Sequence, residues 1–472
     1  MPQGTNTIKG SLRKQIRDIV GTENFLDSAE AVLVYGYDAT PLVGGKPDAI
    51  VLPRSTEEVA AVLRLANLDG FPVIPRGAGS GLSGGSVPIA GGLVMTWGRM
   101  CRILEVDTTN LVAIVEPGVT TASLHREVEK RKLYYPPDPG SMTTSTLGGN
   151  VGENAGGPHC LKYGVTGDYV LGLEAVLPSG EVLPMGSKAV KNVAGYDLCG
   201  IIVGSEGTLA VVTRIWTRLV PKPETKSTAL LHFRDAVRAA EAVQPILQEG
   251  IVPSALEILD NTTIRCVEDY AHIGLPLDAD AILLVEVDGA GESVRRESAA
   301  LERISRASGA YDFRVAADER EADELFAARR SALAALSRVS PTTMLEDVTV
   351  PRSEVGNLVK KIQDIARAHT IRIGTFGHLG DGNLHPTLLT DERDKDEIAR
   401  AVAARGDIFA AALDMGGTIS GEHGTGVAKR AYLGKQFAPA VIETMRRVKA
   451  AFDPRNILNP QKIFQPPSED SR

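Results

Sequence analysis

Two glycine-flanked segments near the end of the chain carry the side chains best suited to chemistry. The first, GHLGDGNLH at residues 377–385, predicts two short strands joined by a tight GDGN turn, because each turn position holds a residue that favours turns. If Leu379 faces Leu384 across this hairpin, His378 and His385 form the next cross-strand pair, with Cβ atoms about 5 Å apart. Two imidazoles at that separation can bind one metal ion.

The second segment, GEHGTG at residues 421–426, supplies a third ligand. Its glycines leave Glu422 and His423 room to point in different directions. A set of His378, His385 and Glu422 leaves coordination positions open, which is typical of a catalytic zinc site, and a bidentate hydroxy acid can occupy them. The alternative is that the histidines are buried hydrogen-bonded residues and that Glu422 and His423 form a solvated pair. The metal site is favoured because three of the eight histidines lie in these two segments.

If the molecule in the open positions is a hydroxy acid that loses a hydride from C2, its hydroxyl proton must leave as well, and the site then needs a base. A neutral imidazole, with an ordinary pKa of about 6.5, suits this role, and His423 is the predicted base. A divalent cation, predicted to be zinc, would acidify the hydroxyl. Asn383 is expected to hydrogen-bond the substrate, although a turn-forming role explains an asparagine at this position equally well.

A glycine-rich loop, PRGAGSGLSGG at residues 75–85, is predicted to bind a diphosphate. Gly79, Gly81 and Gly84 have the G-x-G-x-x-G spacing of a dinucleotide fingerprint, but Pro88 leads into a strand where a Rossmann fold needs a helix. Consecutive N–H groups without side chains can converge on a diphosphate as a nest, whereas the alternative is a plain surface turn. The predicted contacts are Pro75, Arg76, Gly77, Ala78, Gly79, Ser80, Gly81 and Leu82.

Two further segments offer bare backbone beside hydroxyl and amide groups. One runs from residue 137 to 157, and the other is GSEGTL at residues 204–209. Neutral donors and close main-chain approach suit the heteroatom edge of an isoalloxazine, which needs donors at N1, O2 and O4. The predicted flavin contacts in the first segment are Pro137, Asp138, Gly140, Ser141, Thr144, Gly148, Gly149, Asn150, Gly152, Asn154, Ala155 and Gly156. The second segment, just ahead of a strand, is expected to close over the ribityl or adenine part, with Gly204, Glu206 and Gly207 as the predicted contacts.

The glycine and histidine segments together resemble the FAD-linked oxidases of the vanillyl-alcohol-oxidase type, in the branch that contains D-lactate dehydrogenase, D-2-hydroxyglutarate dehydrogenase and the flavin subunit of glycolate oxidase. The resemblance spans nearly the whole chain. It implies that the first loop binds the pyrophosphate of FAD, that the other two segments complete the flavin cleft, and that Asn459 touches the flavin. It implies non-covalent FAD, because relatives that attach the cofactor here place a histidine where this chain has Ser80. It also implies the same metal ligands and base.

The same resemblance addresses the substrate. Arg329 falls where the family places the arginine for the substrate carboxylate, and a guanidinium fork suits that role. Arg330, or a solvated helix face, is the competing interpretation. The D-2-hydroxyglutarate branch carries a lysine where this chain has Leu345. The favoured activity is therefore oxidation of D-lactate or glycolate to the 2-oxo acid by hydride transfer to flavin N5. The alternatives are a D-2-hydroxyglutarate dehydrogenase and a non-catalytic flavin-binding subunit of a glycolate oxidase complex.

The pattern of helices and strands predicts an α+β fold. Ser55 and Glu58 have capping-box spacing ahead of a helix, and Pro221 with Pro223 marks a domain boundary. After it, strand, helix and strand follow one another twice, which predicts a ferredoxin-like antiparallel sheet covered by helices. The predicted domains are an FAD-binding domain of two subdomains at residues 1–220, a substrate-binding cap domain at 221–425 and a helical segment at 426–472 that returns to the FAD domain.

Composition excludes several function classes. A formal net charge of −8 without a run of lysine or arginine argues against nucleic acid binding. The four cysteines lie far apart without a Cys-x-x-Cys pair, so they cannot form an iron–sulfur cluster or a zinc knuckle and are expected to be buried. Reduced flavin must therefore pass electrons to an external acceptor: a quinone, an electron-transfer flavoprotein, a cytochrome or an iron–sulfur partner subunit.

The N-terminal segment MPQGTNTIKGSLRKQIRDIV has no apolar signal core, and no stretch of about 18 apolar residues follows it. We therefore expect a cytoplasmic protein that is not integral to a membrane and that can reach one peripherally through its electron-accepting partner. A homodimer is compatible with the sequence.

Overall fold

The computed structural model describes residues 8–466. Backbone contacts divide them into two units. The first contains residues 8–155, 165–222 and 422–466, and the second contains residues 156–164 and 223–421. The short segment 156–164 thus belongs with the second unit, although its neighbours on both sides along the chain belong to the first.

The strands of the described chain are β1 (Phe25–Leu26), β2 (Ala49–Val51), β3 (Val73–Arg76), β4 (Leu93–Thr96), β5 (Ile103–Asp107), β6 (Val112–Val115), β7 (Leu133–Tyr134), β8 (Val170–Val176), β9 (Val182–Gly186), β10 (Val211–Arg218), β11 (Val220–Pro221), β12 (Thr225–Phe233), β13 (Ala255–Asp260), β14 (Ala281–Gly289), β15 (Asp312–Val315), β16 (Thr342–Leu345), β17 (Val348–Thr349), β18 (Arg372–His378) and β19 (Asn383–Thr390).

Its α-helices are α1 (Gly10–Val20), α2 (Ala29–Val34), α3 (Thr56–Asp69), α4 (Thr121–Glu129), α5 (Leu147–Glu153), α6 (Cys160–Tyr163), α7 (Leu198–Ile202), α8 (Ala236–Glu241), α9 (Val243–Gln248), α10 (Asn261–Ala271), α11 (Gly291–Ala307), α12 (Glu319–Arg330), α13 (Ala332–Ser337), α14 (Val355–His369), α15 (Lys395–Asp414), α16 (Leu433–Gln436) and α17 (Pro439–Phe452).

In the first unit, a small sheet delivers the chain into the first glycine loop. Strands β2, β4 and β3 are parallel, and β1 adds an antiparallel edge. Helix α3 connects β2 to β3. It begins after Ser55, whose side chain accepts a hydrogen bond from the Glu58 N–H, and it ends at Gly70 with a φ of +77°. Val59 on this helix is fully buried in the same hydrophobic cluster as Val73 of β3, so packing fixes the strand that ends in the loop.

The first unit also contains an antiparallel sheet of order β5-β6-β10-β8-β9, and the C-terminal residues pack beside β3. The Asn459 N–H donates to the Val73 carbonyl at 2.8 Å, and the Val73 N–H donates to the Ile457 carbonyl at 2.8 Å. Lys449 of α17 donates to the Thr208 carbonyl at 2.7 Å. Residues 422–466 therefore contact elements next to the first and third glycine segments.

The second unit is built on one antiparallel sheet of order β15-β12-β14-β13-β18-β19-β16, with β17 also paired to β19. Helices α10, α12 and α13 cover one face, and α8, α11 and α14 cover the other. Leu230 of β12 and Leu284 of β14 lie in one buried cluster with Ile264 of α10 and Leu336 of α13. The predicted α+β class with an antiparallel sheet faced by helices is confirmed, and β16 to β19 extend the sheet beyond the two predicted passes.

Some helices differ from the pattern that the sequence predicts. The single helix expected in the first strand, helix and strand pass is divided into α8 and α9. The sequence does not predict α5 or α10. Thr146 caps α5 by accepting the Gly149 N–H, and Asp260 caps α10 by accepting the Thr263 N–H. These caps, together with packing, outweigh the poor helix propensity of the glycines in α5 and of the Asn-Thr-Thr start of α10.

The cysteines also differ from expectation. Cys266 is buried, but Cys101 is exposed and Cys160 and Cys199 are partly exposed. Cys101 lies in the segment that connects β4 to β5, with its Sγ 3.7 Å from the Gly98 carbonyl oxygen. It is therefore not part of a hydrophobic core. Among residues 8–466, no helix combines the length and apolar character needed to cross a membrane.

Candidate active site

Three neighbouring strands of the second unit place a cluster of functional side chains on one face of the sheet. Glu257 of β13 lies opposite His378 of β18, and His378 lies opposite Asn383 of β19. In the next row, Phe376 of β18 lies opposite His385 of β19. Residues that oppose one another share a face, as do residues two apart along a strand. The five side chains are therefore neighbours by register alone.

The hairpin that carries both histidines differs from the predicted register. His378 lies diagonal to His385 and not opposite it, so the predicted cross-strand pairing of the two histidines is wrong. The turn is the reason. Leu379–Asp381 form a 3-10 helix followed by Gly382 with a φ of +75°, so Leu379 is a buried turn residue and does not face Leu384. The register moves by two residues, which keeps both imidazoles on one face.

The diagonal arrangement still brings the two imidazoles together. The ring centroids of His378 and His385 are 5.2 Å apart, with an angle of 86° between the rings. A nitrogen of one ring lies within 4.8 Å of a nitrogen of the other. Both residues are buried, with exposed fractions of 6% and 3%. Two imidazole donors held this close, away from water, can share one divalent cation.

Glu257 connects this pair to Arg329. Its Oε1 lies 2.8 Å from His378 Nδ1, and its Oε2 lies 2.6 Å from Arg329 Nη2. Burial of Glu257 opposes ionisation, but His378 and Arg329 together outweigh that cost, so the pKa of this carboxyl lies below its ordinary value. Glu257 is therefore a buried carboxylate, and His378 is oriented with Nδ1 toward it.

Arg329, the predicted ligand of a substrate carboxylate, belongs to the same cluster. Its Cζ lies 4.7 Å from the centroid of the Phe376 ring, a cation–π contact. It is 6% exposed, so it does not lie on a solvated helix face. Within residues 8–466 its buried Nε donates to no acceptor. That nitrogen is a donor available to a bound anion.

Asp347 organises the other end of the row. This fully buried carboxylate accepts hydrogen bonds from Asn383 Nδ2 at 2.7 Å, Ser420 Oγ at 2.9 Å and the Gly421 N–H at 2.9 Å. Asn383, the predicted substrate ligand, thus uses its amide nitrogen inside the protein, and its buried Oδ1 accepts no hydrogen bond from the described residues. Asp347 fixes the backbone up to Gly421, the residue before Glu422.

Sequence reasoning missed Glu257 and Asp347. Glu257 is a lone carboxylate in the apolar strand segment ALEILD. A carboxylate in a buried strand requires a cation or several donors, so its position alone could have predicted a buried partner. Asp347 follows Glu346 at the end of a strand, where acidic residues are common. Its position in the sequence therefore does not indicate that it is buried.

The first glycine loop leaves β3 at Arg76 and reaches β4 without a helix, as predicted from the sequence. Gly79 and Gly84 both have a φ of +74°. The backbone N–H groups of residues 78–82 donate to no acceptor of the described chain. Arg76 is buried beneath the loop, and a Cβ added to Gly79 would collide with its guanidinium. The loop thus offers a run of bare donors, which is what a diphosphate-binding nest requires.

The three glycine segments, the second of them up to residue 155, are adjacent within the first unit. The Glu206 N–H donates to the Gly152 carbonyl at 2.8 Å. Asn459 is buried, and its Nδ2 donates to the carbonyls of Gly85 and Glu206 at 2.8 Å each. The predicted element Asn459 therefore joins the first loop to the third segment through main-chain carbonyls.

Several predicted flavin contacts also have structural roles. Asn150 is buried and its Nδ2 donates to Thr121 Oγ1 at 2.8 Å. Gly148 lies so close to Pro117 that an added Cβ would be 2.6 Å from the proline Cβ. Thr144 is exposed, and its hydroxyl donates to a neighbouring carbonyl. Capping and packing inside this unit account for part of the residue pattern that the sequence assigned to a cofactor.

Glu206 holds the turn that follows His423. Its carboxylate accepts the N–H groups of Thr425 and Gly426 at 2.8 and 2.7 Å. Nearby, Glu153 Oε2 is buried and accepts no hydrogen bond from the described residues. Burial raises the pKa of Glu153 well above its ordinary value, and the charge of Glu206 raises it further. Burial also raises the pKa of Glu206, although the N–H groups of Thr425 and Gly426 oppose that rise. Of the two carboxyls, only Glu206 accepts hydrogen bonds within the described chain that favour its ionised form.

The predicted base and third metal ligand are neighbours in the first unit. His423 Nε2 lies 3.6 Å from Glu422 Oε1, and both side chains are partly buried. Gly424 and Gly426 follow with φ values of +81° and +48°. These left-handed residues turn the chain sharply after His423, a conformation that glycine adopts without strain.

Two family models match most of the chain. Residues 47–186 match an FAD binding domain, and residues 222–463 match the C-terminal domain of FAD linked oxidases. The first match includes the loop with the bare N–H groups, and the second includes both histidine segments.

Named relatives agree with these matches. The chain is 50% identical to the glycolate oxidase subunit GlcD of Bacillus subtilis, over 97% of each chain. It is 34% identical to the D-lactate dehydrogenase of Anaerostipes hadrus, over 91% of this chain and 92% of that one. The solved structure of p-cresol methylhydroxylase with substrate bound matches with a TM-score of 0.79 and 17% identity, over 96% of each chain, and shows a shared fold.

Proposed function

Because the chain belongs to the FAD-linked oxidase family, as its sequence resemblance indicated, we propose that it is an FAD-dependent dehydrogenase that oxidises D-lactate or glycolate to the corresponding 2-oxo acid. The observation that carries this proposal is the buried pair His378 and His385. Glu257 hydrogen-bonds His378 and lies beside Arg329. That cluster offers groups for both ends of a 2-hydroxy acid.

FAD binds without a covalent bond in this proposal. The N–H groups of residues 78–82 would bind its pyrophosphate. The segment around Gly152 would border the flavin, and the segment around Glu206 would cover the ribityl or adenine part. Ser80 stands where a covalent attachment would need a histidine. When bound, FAD accepts the hydride that leaves C2 of the hydroxy acid.

His378, His385 and Glu422 are the proposed ligands of a divalent cation, with zinc as the expected metal. Support comes from the buried imidazole pair and from Asp347, which fixes the chain up to the residue before Glu422. Two histidines and a glutamate are a donor set typical of catalytic zinc. When bound, the cation acidifies the substrate hydroxyl and orients it.

The remaining roles belong to the protein's own side chains. Arg329 would bind the substrate carboxylate through its Nε, which donates to no acceptor among the described residues. His423 would accept the hydroxyl proton as the hydride leaves. Asn383 Oδ1 is a buried acceptor that can receive a hydrogen bond from the substrate.

A short substrate is favoured over D-2-hydroxyglutarate. Leu345, where the hydroxyglutarate branch carries a lysine, packs against the hydrophobic cluster of the second unit that contains Phe376. An apolar side chain there offers no charge for a second carboxylate. Lactate and glycolate have none.

Electron transfer then requires a partner. The Bacillus subtilis relative is named as a subunit of glycolate oxidase, and the cysteines of this chain have no cluster-binding spacing. We therefore propose a quinone, an electron-transfer flavoprotein, a cytochrome or an iron–sulfur partner subunit as acceptor, for a cytoplasmic protein that can meet a membrane through that partner. A homodimer stays compatible with the proposal.

Anaerobic bleaching of the flavin tests the activity directly. Purified yellow protein is mixed with D-lactate, L-lactate, glycolate or D-2-hydroxyglutarate, and absorbance is followed. D-lactate or glycolate should bleach the flavin fastest. Fastest bleaching by D-2-hydroxyglutarate would move the assignment to that branch, and no bleaching by any of them would favour a non-catalytic flavin-binding subunit.

A further inference from the structure

One buried carboxylate in the second unit serves two cationic partners at once. Glu257 has no exposed surface, and its two oxygens lie beside different side chains. Oε1 is hydrogen-bonded to His378 Nδ1 at 2.8 Å, and Oε2 forms an ion pair with Arg329 Nη2 at 2.6 Å. A closed ring of contacts continues from there. His378 lies beside His385, His385 beside Phe376 with ring centroids 5.4 Å apart, and Phe376 beneath Arg329.

We propose that Glu257 is a positioning residue that couples two binding groups: it fixes His378 as a metal ligand through Nε2, and it holds Arg329 in the orientation that receives the substrate carboxylate. This inference rests on the proposed function, because it gives Glu257 the role of orienting both the proposed metal ligand and the proposed carboxylate ligand.

The metal half of the coupling follows from the tautomer of His378. An imidazole that donates its Nδ1 proton to a carboxylate keeps Nε2 as the lone-pair nitrogen, and the carboxylate raises its basicity. Loss of such a carboxylate costs metal affinity by about 10–100-fold in comparable sites. The register pairs Glu257 with His378 across β13 and β18, so the backbone enforces this contact.

The substrate half follows from how Arg329 is held. Its guanidinium is fixed on one side by Glu257 and on one face by the Phe376 ring. Without the Glu257 carboxylate, the Arg329 guanidinium would keep only its contact with the Phe376 ring, and its plane would no longer be fixed. Bidentate binding of a carboxylate depends on the orientation of that plane. One substitution at Glu257 should therefore reduce two binding affinities, that of His378 for the metal ion and that of Arg329 for a carboxylate.

The test compares Glu257→Gln with wild type and with two matched variants. Glu286→Gln replaces another buried, ion-paired carboxylate of the same sheet, whose partners are His159 and Lys226 and not a proposed ligand. Arg329→Lys alters the carboxylate ligand alone. Each protein is stripped by chelator, and its dissociation constant for zinc is measured by competition with a chromophoric chelator. The dissociation constant for oxalate is then measured at saturating zinc through the flavin spectrum.

Glu257→Gln should raise the zinc dissociation constant by about 10–100-fold and should also raise that for oxalate by more than about 10-fold. Arg329→Lys should raise the oxalate constant without a matching loss of zinc, and Glu286→Gln should change neither by more than about twofold. Unchanged zinc binding in Glu257→Gln overturns the metal half, and unchanged oxalate binding overturns the substrate half.

Failure of the proposed function has a different signature. In that case wild type does not bind zinc, or it binds zinc with an affinity that His385→Ala does not reduce. Either result rejects the proposed metal site and the coupling together. If Glu257→Gln does not yield folded yellow protein, Glu257→Asp keeps the charge but moves it back by one methylene. The Glu257→Asp variant should lose less affinity for zinc and for oxalate than Glu257→Gln. If it binds both as tightly as wild type, the coupling is contradicted.

Discussion

The carboxylate of Glu286 gives the sharpest stability prediction for the second unit. It lies on β14, is almost fully buried, and accepts hydrogen bonds from Thr228 Oγ1 at 2.9 Å and Ser254 Oγ at 3.3 Å. His159 and Lys226 lie 3.4 and 3.5 Å away. Burial opposes its ionisation, but these partners outweigh the cost and lower its pKa from 4.5 to about 2. Glu286 therefore ties segment 156–164, through His159, to the sheet.

The size and sign of the effect follow from linkage. A fall in pKa from 4.5 to about 2 corresponds to about 3 kcal/mol of folding free energy for the ionised group. Because the folded pKa is the lower one, this stabilisation is complete above pH 4.5 and is lost as pH falls toward 2. The same relation leaves about 2.5 kcal/mol at pH 4 and about 1.5 kcal/mol at pH 3. Glu286→Gln keeps the shape but removes the charge.

Hydrogen exchange measured by mass spectrometry is the suitable assay, because both tryptophans, Trp97 and Trp216, lie in the first unit and do not report on the second. Peptides covering β12 and β14 should exchange more than about 100-fold faster in Glu286→Gln than in wild type at pH 7. The ratio should fall toward about 10-fold at pH 3. A ratio that is the same at both pH values would refute the electrostatic reasoning.

Three further outcomes are expected. His423→Ala should leave yellow, folded protein but slow anaerobic flavin reduction at least about 100-fold, and an unchanged stopped-flow rate would remove His423 as the base. Gly77→Ala should weaken FAD binding, because its Cβ would lie 2.6 Å from Thr146 Oγ1, whereas Gly98→Ala, with its nearest atom at 3.4 Å, should not; equal FAD affinities in titrations would contradict this. The raised pKa of Glu153 means that wild type loses stability as pH rises from 4.5 toward the folded pKa. Glu153→Gln removes this titration, so its melting temperature should fall less with rising pH. Equal slopes of melting temperature against pH in scanning fluorimetry would show that Glu153 does not contribute.

The hairpin at 377–385 shows how far sequence reasoning reaches. Turn-forming residues predicted two strands and two neighbouring imidazoles, and both are present. The register was wrong because Leu379 enters the turn, and apolar character alone cannot distinguish a buried turn residue from a strand residue. An even shift of two residues preserved the face, so the candidate metal pair survived the error.

The glycine segments show the opposite case. Bare N–H groups at residues 78–82 follow from glycine content and from the absence of a helix start, and both can be predicted locally. Helix α5 could not be, because it depends on the Thr146 cap and on packing of Gly148 against Pro117. The partners of Glu257 were also out of reach, since β13, β18 and α12 are distant in sequence and meet only in the folded sheet.

The most direct test of the central claim is the rate of anaerobic flavin reduction by D-lactate or glycolate before and after removal of bound metal. Chelator-treated wild type should lose at least about 100-fold in rate and regain it when zinc or another divalent cation is added, while His385→Ala should not recover. Full-rate reduction by the chelated protein, or recovery in His385→Ala, would contradict a metal site at His378 and His385.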